Sequence, residues 1–284
     1  MLKPLKIIEC PRDAMQGIKP FIATEDKASY INALLKVGFD TIDFGSFVSP
    51  RAIPQMRDTA AVLAKLDLTN TKSKLLAIVA NVRGAKDACQ YNEINYLGFP
   101  FSISENFQMR NTGKTIQESL ETLSEILKLA NAHNKEVVTY LSMGFGNPYG
   151  DPWSPEIVAE WTKILANMGV KILSLSDTIG ISTGANIKAL FEHLIPLYPQ
   201  IEFGAHFHTT PAAWYEKVDA AYQAGCRRFD TAIKGYGGCP MAKDELTGNM
   251  PTEKLISYFS EKKIANSLNP LHFETAYNKA LDVF

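Results

Sequence analysis

The sequence predicts an α/β protein of the (β/α)8 TIM-barrel class, a single domain with a short C-terminal extension. Three observations carry that expectation. Short apolar, β-branched runs alternate with longer helical patterns from end to end. The alternation repeats eight times, at about 35 residues per unit, which is the rhythm of a parallel barrel. The least ordinary polar residues follow the strand-like runs, where such barrels keep their reactive groups. A doubly wound open sheet would also alternate, but usually with fewer units.

The strand-like runs lie near residues 5–8, 41–44, 75–80, 93–97, 137–141, 172–176, 202–208 and 228–232. Helical patterns lie between them at about 25–37, 51–66, 84–91, 115–133, 155–168, 185–198, 212–224 and 252–261. The punctuation agrees. Thr115 with Glu118 forms a capping box. Ser154-Pro155-Glu156 reads as an N-cap, a proline at the first helical position and an acid near the positive end of the helix dipole. Asn134 and Met168-Gly169 read as helix ends. No linker, charge block or low-complexity segment interrupts the pattern. One catalytic barrel over residues 1–284 is the economical reading, and the stretch from Lys262 reads as a helical extension.

Composition narrows the function classes. With 46% hydrophobic residues in 284, the chain can bury a large core. Its 29 basic and 30 acidic residues leave a formal charge of −1, without the basic surplus that a sequence-independent grip on nucleic acid needs. No apolar run approaches the roughly 20 residues of a membrane span. Cys10, Cys89, Cys226 and Cys239 are scattered, with no CxxC pair or disulfide framework. That pattern, and a strand-like run beginning at residue 5, lead to the expectation of a reducing, cytoplasmic setting.

Several segments at predicted strand ends carry chemistry. Cys10-Pro11-Arg12-Asp13 follows the first strand. Asp43 lies near the end of the second, and Ser176-Asp177-Thr178 ends the sixth. Gly204-Ala205-His206-Phe207-His208 ends the seventh, and histidines two apart on a strand project to one face, a metal-ligand spacing. After the eighth, Gly235-Tyr236-Gly237-Gly238-Cys239-Pro240 reads as a glycine-rich loop carrying a thiol, and Gly248-Asn249 precedes the last barrel helix. His133, His193 and His272 fall on outer elements. Trp161 and Phe191 suit packing of helix on barrel.

In this order the segments resemble the 3-hydroxy-3-methylglutaryl-CoA lyases and the related barrel enzymes that make or break bonds beside an acyl carbonyl. The resemblance spans about residues 9–253. It rests on PRDAMQ (11–16), SFVSP (46–50), PQM (54–56), SDTIG (176–180), AHFH (205–208), GYGGCP (235–240) and GN-x-x-TE (248–253). It implies that Asp13, His206, His208 and Asn249 bind one divalent cation. Magnesium or manganese suits two oxygens and two imidazoles, and zinc is compatible with the set. It also implies a retro-Claisen cleavage of a small-molecule acyl-CoA. Arg12 would stabilise enolate charge, Cys239 would protonate the enolate, and His206 or Asp13 would act as base. Asp43 and Asp177 would orient these groups, and Arg110 and Asn111 would lie near the CoA. A homo-oligomer, a dimer, is expected, with no nucleic-acid or membrane partner. The chain departs from the usual pattern at Ala14 (usually glycine), Asp43 (usually glutamate) and Thr209 (usually aspartate). The rival readings are a condensing enzyme of the isopropylmalate, homocitrate or citramalate synthase type, an oxo-acid aldolase, and a non-catalytic metal-binding scaffold.

Overall fold

The elements of a computed structural model, which describes residues 4–238 and 247–284, follow the predicted alternation. In chain order they are β1 (Lys6–Glu9), α1 (Pro11–Met15), α2 (Thr24–Leu35), β2 (Thr41–Ser46), α3 (Thr59–Leu63), β3 (Lys74–Ile78), α4 (Val82–Cys89), β4 (Ile94–Ser102), α5 (Glu105–Thr112), α6 (Ile116–Ala132), β5 (Glu136–Ser142), α7 (Pro155–Asn167), β6 (Ile172–Asp177), α8 (Gly184–Leu197), β7 (Glu202–Thr209), α9 (Trp214–Gln223), β8 (Arg228–Thr231), β9 (Gly248–Asn249), α10 (Thr252–Glu261) and α11 (Pro270–Val283). Strands β1 to β8 pair in parallel with their sequence neighbours, and β8 pairs with β1, which closes the barrel. Among the described residues, no helix is long and apolar enough to cross a membrane.

The two-residue period of a strand sorts side chains between two packing layers. Ile42, Leu75, Ala77, Val137, Leu173, Phe203 and Phe229 face outward and pack in one large core with the helices. Leu76, Tyr96, Val138, Tyr140 and Ile172 fill the barrel interior as a separate cluster, joined by Ile78. This alternation decides what reaches the mouth. On β7, Phe203, Ala205 and Phe207 belong to the outer core, so His206 and His208 turn inward. On β2, Ile42 and Phe44 belong to it, so Asp43 turns inward.

The differences from the sequence reading have local causes. The pattern at 51–66 splits into a 3-10 turn at Pro54–Met56 and α3. Pro50 and Pro54 lack the N–H that a continuous helix would use, so regular helix starts only beyond them. Helices α1 and α5 were not foreseen. With 5 and 8 residues they are too short for a clear period. For α5 the caps were nevertheless written: Ser104 accepts from the amide of Phe107, and Gly113 closes the helix at φ 68°. The C-terminal extension forms the 14-residue helix α11, which packs against α2.

The loop after β2 is pressed against α4. A Cβ added to Gly84 would stand 2.5 Å from the carbonyl oxygen of Phe47, a backbone atom that no rotamer change can move. Ser46 and Val48, on either side of Phe47, line the barrel mouth. Gly84→Ala should therefore lower stability by about 1–3 kcal/mol, despite the better helix propensity of alanine. Denaturant unfolding checks this, and an unchanged or raised midpoint would show that the contact gives way freely.

Candidate active site

Pro11 occupies the first position of α1, so the helix turns immediately off the tip of β1 and holds Arg12 and Asp13 over the barrel. Both are buried. Arg12 Nε donates to the two oxygens of Asp43 at 3.2 and 3.0 Å, and Nη2 also donates to that carboxylate. Nη1 donates to Oδ1 of Asp13 at 2.7 Å and to Oε1 of Gln16 at 3.0 Å. A guanidinium has five N–H groups. These bonds use four, which leaves one on Nη2 without a partner among the described residues.

The two carboxylates respond differently. Burial opposes ionisation of Asp13, but Arg12, the two histidines and Asn249 overcome it and hold its carboxyl at about 2. Burial dominates at Asp43, pushing it up to about 6 against the pull of Arg12. Gln16 also donates to Oδ1 of Asp13, at 2.7 Å.

On β7, His206 and His208 have ring centroids 5.4 Å apart. Ligand atoms of Asp13, His206 and His208 all lie within 4.8 Å of one another. Nδ1 of His208 is 2.8 Å from the carbonyl oxygen of Thr178. A carbonyl only accepts, so Nδ1 carries the hydrogen and Nε2 the lone pair. That Nε2 is buried and has no hydrogen-bond partner among the described residues. Burial, reinforced by neighbouring His206, lowers the pKa of His208 to about 4. For His206 burial also works against the charged form, but the hydrogen bond to Asp230 and the charges of Asp230 and Asp13 outweigh it, so its pKa is raised. Asn249, on β9, stands opposite His208 in antiparallel register and donates from Nδ2 to the carbonyl of Tyr236 at 2.8 Å. Cys10 lies at the tip of β1 but is buried, which together with the surrounding carboxylates raises its thiol pKa.

A cavity opens over these groups. Arg12, Asp13, His206 and His208 line one side, hydroxyls of Ser142, Ser176 and Thr178 another, and Ile53, Ile78, Pro100 and Phe107 an apolar one. Asn111 reaches this cavity. Arg110 does not line it: it is exposed, and its guanidinium lies 4.8 Å from the ring of Tyr149. Asp177 is not brought to the cavity either. It accepts from the amides of Ile181 and Ser182, from the Ser182 hydroxyl and from Lys217 Nζ at 2.6 Å. Lys217 also donates to the carbonyl of His208 at 2.9 Å, which ties Asp177 to the backbone of β7. Cys239 lies outside the described residues.

Sequence reasoning missed Asp230, Gln16 and Lys217. Asp230 had a usable signal, an acid within an otherwise apolar strand run, RFDTA. Gln16 shares a helix face with Arg12, four residues away. Lys217 had none, since a lysine in an amphipathic helix reads as solvated.

The sequence profile of the HMGL-like family matches residues 5–278. The hydroxymethylglutaryl-CoA lyase YngG of Bacillus subtilis is 33% identical over 258 residues, covering 91% of this chain and 85% of that one. The solved structure of the Bacillus subtilis HMG-CoA lyase superposes with a TM-score of 0.92 at 32% identity, over 99% of this chain and 95% of the other. An HMG-CoA lyase from Acinetobacter baumannii, solved with coenzyme A and 3-methylmalate, superposes at 0.90 and 29% identity, over 99% and 91% of the two chains. The chain belongs to the HMGL-like family and is a carbon–carbon lyase.

The state of His208 has a consequence for stability. Its folded pKa of about 4 lies below the ordinary histidine value of 6.5. Between those values the unfolded chain binds the additional proton, so stability rises with pH across that window. The contribution is complete above about pH 6.5 and is lost as pH falls towards 4, a change of up to about 3 kcal/mol. Denaturant unfolding of the metal-free protein should therefore show a steeper loss between pH 6.5 and 4 than His208→Gln shows. Parallel pH profiles would contradict a neutral, buried His208.

Proposed function

We propose that this chain cleaves 3-hydroxy-3-methylglutaryl-CoA to acetyl-CoA and acetoacetate, with one divalent cation held by Asp13, His206, His208 and Asn249. The observation that carries the reading is the buried, unpartnered Nε2 of His208 beside a fully ionised Asp13 and a second imidazole. A buried polar atom is normally satisfied, and a lone pair facing a carboxylate lacks only a cation. The two imidazoles fit such an ion directly, and Asn249, its amide nitrogen committed to Tyr236, would add its carbonyl oxygen. Oxygen and imidazole donors suit Mg²⁺ or Mn²⁺, and Zn²⁺ is tolerated by the same set. When bound, the cation supplies a Lewis-acid contact that lowers the pKa of the substrate's tertiary hydroxyl.

The remaining chemistry falls to the chain's own groups. The hydroxyl proton must leave before the carbon–carbon bond breaks. Asp13, at about 2, is a poor base. His206, whose pKa is raised, is assigned to take the proton, and its one lone pair would serve either a cation or that proton, not both at once. As the hydroxyl oxygen becomes the ketone of acetoacetate, the electrons of the broken bond pass to the thioester enolate. Arg12, with its remaining N–H and its position fixed by Asp43, stabilises the developing oxyanion. Cys239 returns a proton to the enolate carbon, a role that rests on the resemblance alone. Asn111, and Arg110 at the rim, are assigned to the CoA arm. The same reading carries a catalytic unit spanning 1–284, a homodimer and a cytoplasmic setting.

Purified protein should form acetoacetate and acetyl-CoA in equal amounts from 3-hydroxy-3-methylglutaryl-CoA, and a chelator should abolish this until Mn²⁺ or Mg²⁺ is restored. His208→Ala should weaken Mn²⁺ binding by at least about 10–100-fold, the cost of losing even an outer partner of a ligand. Absence of both products with Mn²⁺ present would remove the substrate assignment, and unchanged Mn²⁺ affinity in His208→Ala would remove the cation site.

A further inference from the structure

We propose that Asp230 is a positioning residue that fixes the ring orientation and tautomer of His206, so that Nε2 presents its lone pair towards Asp13 and His208. The proposal rests on the cation reading above and explains how this chain holds one of its ligands ready.

The barrel register brings the two residues together. Strands β7 and β8 pair with His206 opposite Asp230. Phe229 on β8, like Ala205 and Phe207 on β7, belongs to the outer core, so Asp230 and His206 both face inward. Oδ2 of Asp230 lies 3.2 Å from Nδ1 of His206 and also accepts from Ser174 Oγ at 3.4 Å. Oδ1 is buried and has no hydrogen-bond partner among the described residues. An ionised carboxylate only accepts, so Nδ1 must donate, and the neutral ring then keeps its lone pair on Nε2. The opposite tautomer would set two lone pairs against each other. Tyr140 packs edge-on to the ring, with centroids 5.5 Å apart, and limits its rotation.

A carboxylate buried to 3% exposure is costly, and one long bond from Ser174 does not offset that cost. Two further groups hold it there: the His206 ring, which it bonds, and buried Arg228, whose charge it answers. Its charged neighbours include Arg228, two residues back on the same face of β8 and also buried, and Asp43. Arg228 donates through Nη1 to Glu202 at 3.2 Å, while its Nε and Nη2 have no hydrogen-bond partner among the described residues. Asp230 thus contacts the imidazole of His206 directly and feels the positive charge of Arg228, which is itself bonded to Glu202.

Two measurements test this. The first reads the metal-free wild-type protein by long-range ¹H–¹⁵N NMR at alkaline pH, with His206 assigned by comparison with His206→Gln. The expected signal is a neutral ring protonated at Nδ1, and a ring protonated at Nε2 would overturn the proposal without any variant having to fold. The second is Mn²⁺ titration of Asp230→Asn, which keeps the shape but lets the amide nitrogen donate to Nδ1. Affinity should fall by about 10–100-fold, as for other outer partners of ligating histidines, with a thermal midpoint near wild type and a new Nε2–H signal. An affinity within about twofold of wild type would overturn the positioning role. Failure of the wild-type protein to bind Mn²⁺ at all would instead strike the cation reading and leave the tautomer result to stand by itself.

Discussion

Arg12 is buried between Asp43 and Asp13, and the charges of these three side chains govern the rest of the barrel mouth. Isolated, any one of them would be expensive at that depth, and removing one partner from a buried pair typically costs about 3–5 kcal/mol. The barrel makes the arrangement possible. Strand β1 and its proline-started α1 deliver Arg12 and Asp13 from one side, and the adjacent β2 delivers Asp43 from the other. Two carboxylates around one guanidinium leave a net negative charge, and Asp13 turns it towards the histidines of β7.

Unequal surroundings divide two chemically identical residues into different states. For His206 burial is outweighed by the bond to Asp230 and the charges of Asp230 and Asp13, which raise the pKa, while burial and the neighbouring imidazole lower His208 to about 4. Environments that push like groups apart in this way are characteristic of catalytic sites. The backbone that carries these rings is braced from outside the barrel. Lys217 joins Asp177 to the carbonyl of His208, and Thr178 accepts from the His208 ring. Asp177, which the sequence reading expects to orient neighbouring groups, is tied through Lys217 to the tip of β7 rather than lining the cavity.

Much of the fold was legible because it is written locally. Each strand lies within or close to its β-branched run, and Thr115, Ser154 and Gly169 mark helix ends through bonds made within a turn. The inward pair His206 and His208 was legible from the period of a strand, whereas Asp43, expected near a strand end, lies in the middle of β2, which continues to Ser46. What stayed hidden depends on contacts between distant segments. Asp230 meets His206 across 24 residues of chain, and local sequence does not say which strand lies alongside which at what register. Lys217 is buried only because α9 returns beneath the loop that follows β6. Asn249 was named by resemblance, and its antiparallel bridge to β7 is too short to leave a strand pattern.

In the proposed cleavage Arg12 stabilises the developing charge, held in place by Asp43 and joined to the proposed cation site through Asp13. Steady-state kinetics of Arg12→Gln with 3-hydroxy-3-methylglutaryl-CoA, alongside its Mn²⁺ affinity, test this most directly. Loss of a preorganised donor to an oxyanion predicts a fall in kcat of about 10²–10³ or more, with KM and Mn²⁺ binding changed far less. A variant with near-normal kcat and only a raised KM would mean that Arg12 merely binds substrate, and would contradict the account.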